Sequence, residues 1–185
     1  MPQEKSENFF TELLKFVLIA AAIVFPVRLF IAQPFIVSGA SMEPTFHNGQ
    51  YLIVDELSYR LSPPARGDVI IFRPPRNPSE FYIKRIIGLP GETVSINGSG
   101  ISVTHADGSQ VVLDESYVVN HGNGSTKDYV LAAEQYFVLG DNRPESSDSR
   151  VWGPLPRQNI VGRAFLRLLP FSELHLLPGS IPAQQ

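Results

Sequence analysis

The sequence predicts a mostly β, antiparallel domain of Greek-key or barrel-like type, carried on one N-terminal transmembrane helix. Three observations predict it: a single apolar stretch near the N-terminus, short Val-, Ile-, Phe- and Tyr-rich runs after it, and turn signals between those runs. Past residue 36 no 12-residue stretch keeps a helical period. A chain of 185 residues with 43% hydrophobic and 18% charged side chains is one domain's worth and can bury a core. Sixteen Pro and 14 Gly suit a turn-rich β protein.

The first element is the apolar run. Phe16–Ala32 carries one charge, Arg28, and Leu13, Leu14, Phe35 and Ile36 extend it. A spanning helix needs roughly 17 to 25 such residues. A cleaved signal would show a small-x-small site after the run, but the chain continues Gln33-Pro34-Phe35-Ile36-Val37. The alternatives are an uncleaved anchor and a core helix, with Pro26 and Arg28 weighing against a simple span. The anchor reading divides the chain into a cytoplasmic tail at 1–12, a span at 13–33 and an extracytoplasmic domain at 34–185. Lys5 and Lys15 precede the run while Gln33–Tyr59 holds no Lys or Arg, which keeps the N-terminus cytoplasmic and sends the domain outward.

Strands are expected at Tyr51–Asp55, Asp68–Arg73, Phe81–Ile87, Thr93–Ile96, Gln110–Leu113, Tyr117–Asn120, Tyr136–Leu139 and Ile160–Leu168. Pro63-Pro64, Asn77-Pro78, Pro90-Gly91, Asn97-Gly98 and Asp107-Gly108 punctuate them. The Gly-, Ser- and Asn-rich stretch 97–125 is expected to be the mobile region.

Composition narrows the chemistry. A net charge of −3 offers no basic excess for binding driven by phosphate neutralisation, so nucleic acid is not an expected partner. With no cysteine there is no disulfide, thiol nucleophile, iron–sulfur cluster or cysteine zinc site. The four histidines, at 47, 105, 121 and 175, lack an obvious Ser and carboxylate partner or a metal-ligand spacing. No metal or other cofactor is expected.

Ser41 lies in Ser38-Gly39-Ala40-Ser41-Met42-Glu43-Pro44-Thr45, a turn able to expose a hydroxyl whose own backbone N–H helps hold an oxyanion. An ordinary turn serine reads the same way. Only Lys84 and Lys127 follow the apolar run, and Lys127 sits among Gly, Asn and Ser. In Phe81–Ile87, alternation puts Lys84 on one face with Tyr82 and Ile86, and Arg85 on the other with Ile83 and Ile87. Burial on an apolar face favours the neutral amine, which can take a proton from a serine hydroxyl. An edge-strand lysine facing water is the alternative. Gly140–Arg150 packs three hydroxyls, two Asp and two Arg into 11 residues, enough to orient a catalytic amine or to form a plain polar loop.

Ser41-Met42-x-Pro44-Thr45, Arg66-Gly67-Asp68-Val69, Tyr82–Gly91 and Gly140-Asp141-Asn142-Arg143 through Ser146, Asp148-Ser149-Arg150 resemble, in order and spacing, the successive boxes of bacterial type I signal peptidases, in the compact single-anchor branch. The resemblance implies a membrane-bound serine endopeptidase that removes signal peptides from exported precursors, cutting after small-x-small sites. It implies Ser41 as nucleophile, Lys84 as general base and the Ser41 N–H as oxyanion donor. It also implies a Ser146 hydroxyl bonded to the Lys84 amine, with Asp141, Arg85, Asp148 and Arg150 holding the architecture and Arg85 paired with Asp148. One branch of the family places a serine two residues before the nucleophile, where this chain has Gly39. Partners on this reading are signal-peptide-bearing precursors and the bilayer. Phe35, Met42 and Phe46 are candidates for an apolar patch near substrate or membrane. A soluble, self-cleaving Ser–Lys repressor-type peptidase and a silent membrane-tethered binding module are the rival readings.

Overall fold

The computed structural model describes residues 9–30, 32–98, 100–121 and 126–182, with backbone alone at 23, 25–30 and 32. Helix α1, Phe9–Phe30, is 22 residues long, about 33 Å at roughly 1.5 Å per residue. Among the described residues no helix is long and apolar enough to cross a membrane. Helix gives way to strand β1, Ala32–Ile36, ahead of the boundary at 33 expected from hydropathy. Pro34 supplies the reason, because proline cannot continue a helix and pushes the residue before it into extended backbone.

The strands after β1 are β2 Tyr51–Asp55, β3 Val69–Phe72, β4 Tyr82–Gly88, β5 Thr93–Asn97, β6 Gly100–Thr104, β7 Gln110–Val112, β8 Lys127–Val130, β9 Gln135–Leu139, β10 Leu155–Pro156, β11 Ile160–Leu169 and β12 His175–Leu176. Two one-turn helices interrupt them, α2 Ser58–Leu61 and α3 Ser149–Trp152. The larger sheet runs β1-β2-β11-β3-β4-β9-β10 with β12 on β11, and the smaller runs β7-β6-β5-β8. Every ladder is antiparallel, as the sequence predicts.

The apolar faces account for the packing. Met42, Phe46, Leu52 and Val54 fill one core region, and Ile70, Phe72, Ile86 and Val138 fill another. A third joins the sheets, setting Ile87, Phe137 and Leu139 against Val94, Ile101, Val103 and Leu131. At Gly88, where β4 leaves for the small sheet, a Cβ would run into Val94 and Leu131, so only glycine permits the crossing.

Three expectations change. Tyr117–Asn120 is not a strand, because Val118 N donates to Glu115 O at 2.8 Å and closes a turn, with Ser116 N donating to Asp114 Oδ1 at 3.0 Å in the turn before it. Strands β1, β6, β8, β10 and β12 were not expected. The stretch 97–125 accordingly holds two paired strands, β6 and β7, while 99 and 122–125 lie outside the described residues.

Candidate active site

Lys84 sits mid-strand in β4, held between β3 and β9 with Ile70 as its register partner. Its side chain leaves the sheet face under the turn carrying Ser41, and Lys84 is only 4% exposed. Its Nζ lies 2.6 Å from Ser41 Oγ and donates to Ile83 O at 2.8 Å. Burial pulls the amine down to about 8, against the upward pull of Asp148 and Asp141 and with a smaller downward push from Arg150. A base near 8 holds an appreciable neutral fraction at neutral pH, and 2.6 Å is a proton-transfer distance.

Ser41 stands in a tight turn closed by Phe46 N donating to Met42 O at 2.9 Å. Gly39 enters that turn at φ +91°, in the left-handed region, with its N–H on Asn48 Oδ1 at 3.0 Å. The loop after β9 grips the other side: Asn142 N donates to Ser41 O at 3.1 Å, and Asn142 Nδ2 to Ala40 O at 3.1 Å. These bonds use the turn's carbonyls. The Ser41 N–H has no partner among the described residues and remains available to an incoming oxygen.

Beneath the dyad lies an ion pair. Arg85 is fully buried and meets Asp141 bidentately, Nε to Oδ1 at 2.9 Å and Nη2 to Oδ2 at 2.6 Å. Its Nη1 donates to Gly67 O and Gly179 O, and Tyr117 covers the guanidinium, ring centroid 4.1 Å from Cζ. Asp141 also accepts from Thr45 Oγ1 at 2.6 Å, so the pair is wired to the turn carrying Ser41.

Three sequence expectations are corrected here. Arg85 pairs with Asp141, not Asp148. Asp148 is spent on the N-terminus of α3 and on Arg150, its Oδ2 taking Arg150 Nη2 at 2.7 Å and Gly140 N at 3.1 Å. Ser146 Oγ is buried without a hydrogen-bond partner and does not meet Lys84, whose amine is met by Ser41 and its own strand's Ile83 carbonyl. Met42 is 1% exposed in the core and lies at neither substrate nor membrane, because the helical turn after Ser41 folds it inward. Phe46 is likewise core and Phe35 partly buried. Arg150 donates to Asp148 and, through Nη2, to Arg143 O at 2.6 Å, bracing the loop.

Sequence reasoning missed Asn142, Thr45 and Glu115. Thr45 lies four residues past Ser41, a spacing that brings two side chains to one side of a helical turn. Glu115 is buried on Arg143, which in turn donates to Gly140 O at 3.0 Å, and no local pattern announces it.

The dyad opens into a cleft of about 550 Å³ walled by 35–41 on one side and 80–84 on the other, with Glu145 and Ser147 at its rim. The strand residues on the two walls, Phe35–Ile36 and Tyr82–Lys84, leave room between them for a third extended segment. Among the described residues no three His, Asp or Glu gather into a metal-binding group.

A family model described as "Signal peptidase, peptidase S26" matches residues 10–169. A protein named Signal peptidase I, from Leptolyngbya laminosa, is 37% identical over 179 residues, covering 93% of this chain and 86% of that one. Probable signal peptidase I-1 of Synechocystis sp. is 36% identical over 172 residues, covering 89% of this chain and 85% of the other. A crystal structure of a signal peptidase I from Enterococcus faecalis V583 is 33% identical, superposing on 55% of this chain and 97% of that one with a TM-score of 0.47.

Proposed function

The chain belongs to the peptidase S26 signal peptidase family, and we propose that Ser41 and Lys84 are the nucleophile and general base with which it cuts signal peptides from exported precursors. Membership makes it a signal peptidase I, a serine endopeptidase that removes signal peptides.

The observation that carries the dyad is the 2.6 Å contact between Lys84 Nζ and Ser41 Oγ inside the protein. Lys84 takes the Ser41 proton as Oγ attacks the scissile carbonyl, and the Ser41 N–H receives the oxyanion. The ammonium formed on Lys84 then protonates the leaving amine. Lys84, neutral again, activates the water that releases the acyl group. Arg85, Asp141, Asp148 and Arg150 fix the two loops and touch neither Oγ nor Nζ. The precursor lies extended in the cleft, with small side chains one and three positions before the cut.

The anchor at 13–33, with the tail inside and the catalytic domain outside, belongs to the same proposal. It rests on the apolar sequence of that segment and the charge asymmetry about it. Since the chain is cysteine-free, single cysteines at residue 3 and at residue 182 report which end an impermeant reagent reaches.

The test of the dyad is cleavage of a precursor bearing an Ala-x-Ala site by the detergent-solubilised full chain and by Ser41→Ala and Lys84→Ala. Cutting after the second alanine, lost in both variants, is the expected result. Unimpaired cutting by either variant removes that residue from the mechanism.

A further inference from the structure

A second cleft, of about 370 Å³, lies beside the first and shares one wall residue with it, Phe81. Arg60, Arg73 and Arg157 line it against a single acid, Glu56. Three guanidinium groups and one carboxyl leave it net positive in a chain whose overall charge is −3.

The arginines are partly pre-positioned. Arg73 donates to Pro78 O at 2.8 Å and stacks over Phe81, Cζ 4.2 Å from the ring centroid. Arg157 donates to Tyr59 O and lies over the Tyr59 ring at 5.7 Å. The Arg60 guanidinium makes no hydrogen bond among the described residues. A guanidinium presents a planar fork of donors suited to two oxygens of one phosphate.

We infer that this cleft is a binding site for the phosphodiester of an anionic membrane lipid headgroup, seated next to the substrate cleft. Two further observations favour a lipid over a soluble anion. Gln33, three residues past the end of α1, lines the cleft, which places the cleft within about 10 Å of chain from that helix. Leu57 and Leu61, 37% and 82% exposed, lie one helical turn apart on either side of Arg60. Exposed leucines bracketing a basic side chain match the boundary between acyl chains and headgroups. The inference rests on the membrane-anchored reading above and adds a lipid contact to it.

The test is native mass spectrometry of the full chain released from detergent micelles, titrated with phosphatidylglycerol, phosphatidylcholine, inorganic phosphate or an Asp/Glu-rich peptide. One phosphatidylglycerol per chain is expected, retained against phosphatidylcholine and against inorganic phosphate at the same concentration. Arg60→Gln should weaken it about fivefold, the usual weight of one basic residue at an anionic surface. Leu61→Ser should weaken the lipid too, while Arg60→Lys, which keeps the charge and loses the fork, weakens it less than Arg60→Gln does. Equal retention of both lipids, displacement by inorganic phosphate or by the acidic peptide, or an unchanged Arg60→Gln overturns the site. Cleavage of a soluble precursor by the same samples reads the peptidase assignment separately, since lipid retention needs no turnover.

Discussion

Gly140 rests directly against the carbonyl of Ser41, and a Cβ there would collide with that oxygen and with the Ser146 side chain. The peptide carrying Ser41 is therefore seated on a residue about a hundred positions further along the chain. Gly140→Ala should cost roughly 1–3 kcal/mol of stability. It should also lower kcat about a hundredfold by displacing Ser41 from Lys84. Thermal unfolding and steady-state cleavage on the same preparation check both.

On the proposed dyad, the Lys84 amine, pulled down to about 8 by burial, sets the pH dependence. Below that value it carries a proton and cannot serve as base, so kcat/KM should rise with pH through about 8 and fall about tenfold per unit below it. A profile flat from pH 5 to 9 removes Lys84 as the base. Lys84→Arg should be inactive at every pH, because a guanidinium stays protonated.

The same burial weakens the fold. Lowering Lys84 from 10.5 to about 8 corresponds to about 3 kcal/mol against folding wherever the native amine is protonated. Between pH 8 and 10.5 the chain takes up a proton on unfolding, so stability rises with pH there, and below pH 8 the whole cost is present. Lys84→Met should accordingly be inactive yet more stable at pH 7, with the advantage shrinking toward pH 10.5. Denaturant midpoints at three pH values measure it.

Breaking the buried Arg85–Asp141 pair from one side strands a charge. Arg85→Met and Asp141→Leu should each cost about 3–5 kcal/mol, and the double variant less than their sum. A double-mutant cycle by denaturant unfolding gives the coupling. Activity should fall with each single change, because Thr45 loses a fixed partner below the Ser41 turn.

The Ser41–Lys84 pairing was legible through the resemblance of the four boxes, since from their own neighbours a turn serine and an edge-strand lysine read the same way. Strand alternation alone separates Lys84 from Arg85, and the structure sends them to Ser41 and Asp141 respectively. The choice between Asp141 and Asp148 was not legible. It turns on a four-residue helix that needs Asp148 at its N-terminus, and so short a helix has no periodic signature. Met42 was misplaced because a turn can face either way in sequence, and only the packing of Phe46 and Leu52 around it chooses. Strand β6 did carry alternation, Ile101 and Val103 inward, but the glycine-rich company of Asn97–Gly100 outweighed it. The charged pair opening β8, Lys127-Asp128, hid the strand that follows.

A single residue separates the last turn of α1 from β1, and β1 is the outermost strand of its sheet, carrying Phe35 and Ile36 into the wall of the cleft. On the proposed anchored reading, the strand that walls the cleft begins beside the membrane end of the chain, so Ser41 meets a precursor close to where it leaves the bilayer. On that reading, inserting residues at position 31 should leave the cutting of free peptides untouched and shift the cut on membrane-embedded precursors, as mass spectrometry of the products would show.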